Sequence, residues 1–255
     1  MENRSLLNIS SKECLEVYQE VLLNAERLWQ TGETLKEAGV YSQAISSSII
    51  SIEELIKALV LVLDGSGFEF RNAKGVGRFF TDHKIRHFTA FLLSGLYVFG
   101  DDALTFFLAA KKNPLKLLSL TALMKLDREQ FDLKVKAYFQ KRLGFLLEEL
   151  DWFADMEKMR QNGFYYDYAN NPLTIDESKY METIEKLQRV RKAGLLLINS
   201  YSKIESENMD AFKGMLKSLK QNEIYKHLST AILKTGKNKA DPFVELKSLI
   251  NDLLT

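Results

Sequence analysis

Residues 41–63 read YSQAISSSIISIEELIKALVLVL. Tyr41, Ile45, Ile49, Ile52, Ile56, Leu59 and Leu63 recur there at steps of three and four, the spacing of one face of an α-helix rather than the alternation of a strand. The run is apolar enough for this helix to lie at the centre of the molecule. Two acids interrupt it. In helical projection Glu53 borders the apolar face and Glu54 points away from it. An acid on an otherwise apolar helix needs a partner, because an unpaired buried charge is costly. Gly65-Ser66-Gly67 should end the helix.

The flanking sequence continues the pattern. Upstream, Ser10 and Glu13 have capping-box spacing, and Leu15, Tyr18, Leu22, Ala25 and Trp29 form one helical face after them. Gly32 and Gly39 bracket a short connection. Downstream, GFEFRNAKGVGRFF (67–80) has no clean period and reads as a loop. Thr81 or Asp82 can cap a helix beginning HKIRHFTAFLLSGLYVF, Asp101 and Asp102 a short one, and Pro114 suits the first turn of another. Asp127 and Gln130 open a long amphipathic helix expected to reach about Arg160, with Gly163 as its stop. An aromatic loop, Phe164–Tyr168, follows. A further helix should begin at Asp176 or Ser178 and run to about Ser202. Three shorter ones follow from Glu205, the last opened by Asp241-Pro242. No strand pattern is present, so the fold class is all-α, a helical bundle with additional C-terminal helices.

Composition narrows the function. Thirty-five basic residues face 34 acidic ones, which excludes a globally basic nucleic-acid binder and leaves a local basic patch open. Cys14 is the single cysteine, so no intramolecular disulfide and no cysteine-rich metal site can form. The N-terminal residues are polar and carry no secretory pattern. The longest apolar stretch, Ala58–Leu63, is far short of the roughly 20 residues of a membrane span. These features lead us to expect a cytoplasmic protein with no membrane partner.

Three constellations could carry chemistry. Arg78 and His83 would lie about 140° apart on one regular helix, which is poor for joint action. If the helix starts at Thr81 or Asp82, Arg78 sits in the preceding loop and can fold back toward His83. A histidine to move protons and an arginine to hold phosphate charge suit RNA cleavage by a 2′-hydroxyl, with no metal required. The plain alternative is a capping or carboxylate-bonded histidine. His83 and His87, at i and i+4, could be two metal ligands, but no third is visible, so neither metal nor cofactor is expected. Second, Glu53 and Lys57 are spaced for a same-helix ion pair in Glu53-Glu54-Lys57. These acids form a structural network, or one of them orients His83 or Arg160. Third, in Arg160-x-x-Gly163-Phe164-Tyr165-Tyr166-Asp167 the arginine could hold phosphate and the aromatics stack on RNA bases, or the aromatics could cap a core.

Taken in order, AGVYSQAISSSIISIEELIKAL (38–59), FTDHKIR (80–86) and RQNGFYYDY (160–168) resemble the AbiV-type abortive infection proteins of the HEPN family, over roughly residues 12–202. The resemblance implies a helical domain at 1–202 with a C-terminal helical extension, 203–255, packed on it. It implies a homodimer and an antiphage role. It also implies a metal-independent endoribonuclease whose motif is an arginine followed four to six residues later by a histidine. Carried over, the catalytic set is His83, Arg78, Glu53 and Glu54, and the RNA- or phosphate-binding set is Lys84, Lys57, Arg160, Tyr165 and Asp167. The partners would be RNA and a phage-encoded activator or regulatory protein. A non-catalytic HEPN adaptor is the alternative. The lysines of the tail (Lys213, Lys217, Lys220, Lys226, Lys234, Lys237, Lys239) read as a solvated face or as an RNA contact.

Overall fold

The computed structural model describes Leu6 and residues 8–68, 78–112, 144–145, 147–164, 175–201 and 241–254. Every regular element among these is helical, and the fold is an all-α bundle. Helix α1 is Ser11–Glu37 and α2 is Tyr41–Leu63. A π-helical turn, Asp64–Phe68, extends α2, and its Gly67 takes φ of 83°, a left-handed value that favours glycine. A short α3, Arg78–Thr81, leads to α4, His83–Lys112. Helical residues 147–154 turn at Asp155 into α5, Met156–Phe164. Then come α6, Glu177–Tyr201, and α7, Pro242–Leu254.

The expected caps form. The Glu13 amide donates to Ser10 Oγ (3.2 Å) and the Ser10 amide to Glu13 Oε2 (2.7 Å), a complete capping box. Asp82, Asp176 and Asp241 accept amides at the starts of α4, α6 and α7. Helix α2 is the hub, buried almost continuously from Ala44 to Val62. Ile45, Ile49, Ile52 and Ile56 meet Phe88 and Phe91 of α4, Leu150, Phe153 and Met156, and Tyr180, Ile184, Leu187 and Val190 of α6 in one core.

Its serines fit that central place. Ser47 Oγ donates to the Leu28 carbonyl, Ser51 Oγ to Ala25 and Ser46 Oγ to Met159, at 2.8, 2.6 and 3.1 Å. Small hydroxyls thus let neighbouring helices approach while remaining bonded.

Several local expectations change. Leu15 is exposed, and Cys14 takes the inward position one residue earlier. Asp101 and Asp102 start no new helix, because α4 runs unbroken through Gly100. One interior glycine costs only about 1 kcal/mol, which the turns on either side outweigh. The helix expected to reach about Arg160 keeps its i→i−4 bonds across Asp155, whose amide donates to the Asp151 carbonyl at 3.1 Å and whose carbonyl accepts from Met159 at 3.2 Å, and its last described residue is Phe164, one beyond Gly163. Arg78–Phe80, placed in the loop by sequence, form a helical turn with Thr81, one of the two expected caps. The expected elements at Pro114 and at Asp127–Gln130, the aromatic residues 165–168, and the first tail helices lie outside the described residues.

Candidate functional site

Glu53 projects from the middle of α2 and is only 3% exposed. Two segments converge on it. The first turn of α4 delivers His83, Arg86 and His87, which the i, i+3, i+4 spacing puts on one face. Helix α5 delivers Glu157 and Arg160, again i, i+3.

The carboxylate divides its two oxygens. Oε2 accepts from Arg86 Nη2 (3.0 Å) and Nε (3.2 Å) and lies 2.8 Å from His83 Nδ1. Oε1 lies 2.8 Å from His87 Nε2 and 3.7 Å from Arg160 Nε, the latter an ion pair without a hydrogen bond. Arg160 grips Glu157 in bidentate fashion, Nη2 to Oε1 at 2.7 Å and Nε to Oε2 at 3.0 Å. Burial alone would push the Glu53 carboxyl up. The His87 hydrogen bond and the charge of Arg86 outweigh it and bring the pKa down to about 2. Glu157 is likewise lowered: burial opposes the shift, and the bond from Arg160 prevails.

Tautomers follow from the donors. His87 is buried, and its Nδ1 has no partner. Its Nε2–H therefore donates to Glu53 and leaves Nδ1 as the bare nitrogen. A bare acceptor is the less costly atom to orphan. His83 Nδ1 touches both Glu53 Oε2 and Arg86 Nη2 (2.7 Å), and it cannot donate to one while accepting from the other. The bond to a carboxylate is charge-assisted and the stronger of the two, and Arg86 already donates twice to that oxygen. We therefore assign Nδ1–H to His83, with Nε2 carrying the free lone pair. His83 is 40% exposed, whereas Arg86 and His87 are buried.

The structure brings Glu53, His83 and Arg160 together. Glu54 and Lys57 pair with each other, so the expected Glu53–Lys57 pair does not form; at i, i+3 the lysine reaches Glu54, and the histidines and arginines claim Glu53. Lys84 bonds Asp241 at 2.8 Å, and that bond raises its pKa, with a smaller contribution from the charge of Glu157. The backbone of Arg78 lies in α3. Tyr165 and Asp167 lie outside the described residues.

Sequence reasoning missed Arg86, Glu157 and the binding of His87 to Glu53. Their signal was the shared face of His83-x-x-Arg86-His87, together with Glu157-x-x-Arg160. Glu53, His83 and Glu157 place one ligand atom each within 4.8 Å of one another, a spacing that would suit a cation. The carboxylates are already bonded to the guanidiniums of Arg86 and Arg160, whose fixed positive charge opposes a metal ion. The donor set fits an ion-pair network better than a metal centre.

The family model for AbiV, HEPN_AbiV, matches residues 13–192, a span that includes every residue of this cluster. The chain belongs to the AbiV family of HEPN proteins. It is an AbiV/HEPN-type defence protein of the abortive-infection class. No curated protein and no solved structure matches it. Among the described residues, no helix of this AbiV protein is long and apolar enough to cross a membrane.

Proposed function

We propose that this AbiV protein is a metal-independent endoribonuclease that shuts down RNA and translation on phage infection. The observation that carries the reading is the presentation of His83. Its Nδ1 is held by a buried carboxylate, and its Nε2 bears the free lone pair at a half-exposed position. In the proposed reaction Nε2 takes the proton of an RNA 2′-hydroxyl. The 2′-oxygen bonds to phosphorus, the P–O5′ bond breaks, and the proton leaves on the 5′-oxygen. The products are a 2′,3′-cyclic phosphate and a 5′-hydroxyl. Arg160 stabilises the charge gathering on phosphate, and Glu53 orients His83 and stabilises its imidazolium. Arg78, Lys84 and the Tyr165–Asp167 segment would extend the RNA contact. Residues 1–202 would form the working domain of a cytoplasmic homodimer and 203–255 an extension. A phage-encoded trigger would release the activity.

One observation favours a second reading, a non-catalytic adaptor. Two carboxylates and two guanidiniums are mutually paired here, so with neutral imidazoles the cluster is self-neutralised, as a structural network would be. Incubation with total RNA and a labelled oligonucleotide in EDTA, beside His83→Ala, separates the two. Cleavage that survives EDTA, leaves a cyclic phosphate and vanishes in the variant supports the nuclease. Intact RNA with the well-folded dimer, and a melting temperature lowered by several degrees in His83→Ala, supports the adaptor.

A further inference from the structure

Helix α5 approaches α2 more closely than a side chain at position 163 would allow. A Cβ placed on Gly163 would lie 1.8 Å from Ser46 Oγ, 2.5 Å from the Ser42 carbonyl oxygen and 2.7 Å from Ser46 Cβ. The Ser42 oxygen belongs to the backbone of the central helix and has little room to yield. By contrast, the atoms nearest to a Cβ on Gly194 belong to the side chain of Leu55. The same contact is tied by the Ser46 hydroxyl, which donates to the Met159 carbonyl at 3.1 Å. Met159 and Gly163 flank Arg160, whose Nε stands 3.7 Å from Glu53, near the limit of an ion pair.

We propose that Gly163 and Ser46 are positioning residues: together they seat α5 on α2 at the depth that lets Arg160 and Glu157 reach the Glu53–His83 centre. Relieving the backbone clash requires α5 to move on the order of 1 Å, a displacement that can cost about 100-fold in rate when it reaches catalytic groups. The inference rests on the nuclease reading only where cleavage is the readout.

The test is Gly163→Ala in the full chain, beside Gly39→Ala. Gly39 has φ of 74°, and its added Cβ would meet nothing within 4 Å, so that variant strains the backbone without displacing α5. Thermal melting, the His83 ring nitrogen shifts from long-range ¹⁵N–¹H correlation, and RNA cleavage are measured together. Gly163→Ala should shift the His83 resonances and lower kcat about 100-fold. Gly39→Ala should lower the melting temperature and leave both other readouts as in the parent.

Parental His83 shifts in folded Gly163→Ala would overturn the proposal, and so would equal changes in Gly39→Ala. If Gly163→Ala does not fold, Ser46→Ala carries the test through loss of the Met159 bond alone, and unchanged His83 shifts there would overturn it as well. If the parent cleaves no RNA without its trigger, the cleavage readout falls away, and the His83 shifts alone decide the role of Gly163.

Discussion

At the scale of single residues, Glu53 joins stability to chemistry. Its carboxyl titrates near 2 in the folded chain against an ordinary 4.5, so the native state binds fewer protons between those values. The stabilisation is therefore fully present above about pH 4.5 and is lost as the pH falls toward 2. Glu53→Gln should flatten this acid limb. It should also destabilise the protein at neutral pH by about 3 kcal/mol, since the buried guanidinium of Arg86 loses the negative charge of Glu53. For a chain of this size that is a fall of roughly 6–12 °C in melting temperature, read by calorimetry from pH 2 to 7. An acid limb as steep in Glu53→Gln as in the parent would assign the pH dependence to other groups. His87→Ala should cost about 2–3 kcal/mol, for the cavity and for the bond withdrawn from Glu53 Oε1. Urea unfolding measures that, and a loss below half this size would mean that Arg86 alone suffices to hold the carboxylate.

At the scale of elements, each helix start described with its cap has a local cause. Ser10 and Glu13 close a reciprocal pair of bonds at α1. Ser10→Ala should cost about 1 kcal/mol, with the site untouched. A melting temperature 2–4 °C lower, with an unchanged His83 spectrum, is the expected result. A displaced His83 resonance would mean that strain in α1 reaches the cluster. Helix α5 is a different kind of element. Its position depends on the absence of a side chain at Gly163 and on the Ser46 hydroxyl, both of which concern the neighbour and not the helix itself.

At the scale of the whole molecule, the C-terminal helix is joined to the site's own scaffold. Phe243 of α7 packs edge-on against Phe88 (5.5 Å between centroids) and against Phe91 (6.5 Å), both on the helix that carries His83 and His87. Asp241 at the start of α7 holds Lys84, and Lys247 reaches Asp151 at 2.7 Å. Phe243→Ala should cost about 3 kcal/mol. Amide hydrogen exchange in α7 should accelerate while that in α2 stays slow, because α2 is enclosed on all sides. Equal acceleration in both would show that α7 unfolds only with the whole bundle.

The amino-acid sequence by itself determined the all-α class, the central place of α2, the caps at Ser10 and Asp241, and the family, and it narrowed two further helix starts to Thr81 or Asp82 and to Asp176 or Ser178, because each is a matter of local period, local hydrogen bonding or ordered motifs. It also marked Glu53 as an acid in need of partners. Who those partners are was decided by tertiary structure. Arg86, His87 and Arg160 lie 33, 34 and 107 residues from Glu53, and no periodicity within one helix states which face of another it will meet. The same holds for Gly163. As a sequence symbol it reads as a helix stop, which agrees with its place one residue from the last described residue of α5, and only the approach of α5 to Ser42 and Ser46 shows that a side chain there would clash. The choice of Glu54 over Glu53 for Lys57 has the same origin: two acids compete for one lysine, and the one already committed to buried cations across the helix interface is no longer available.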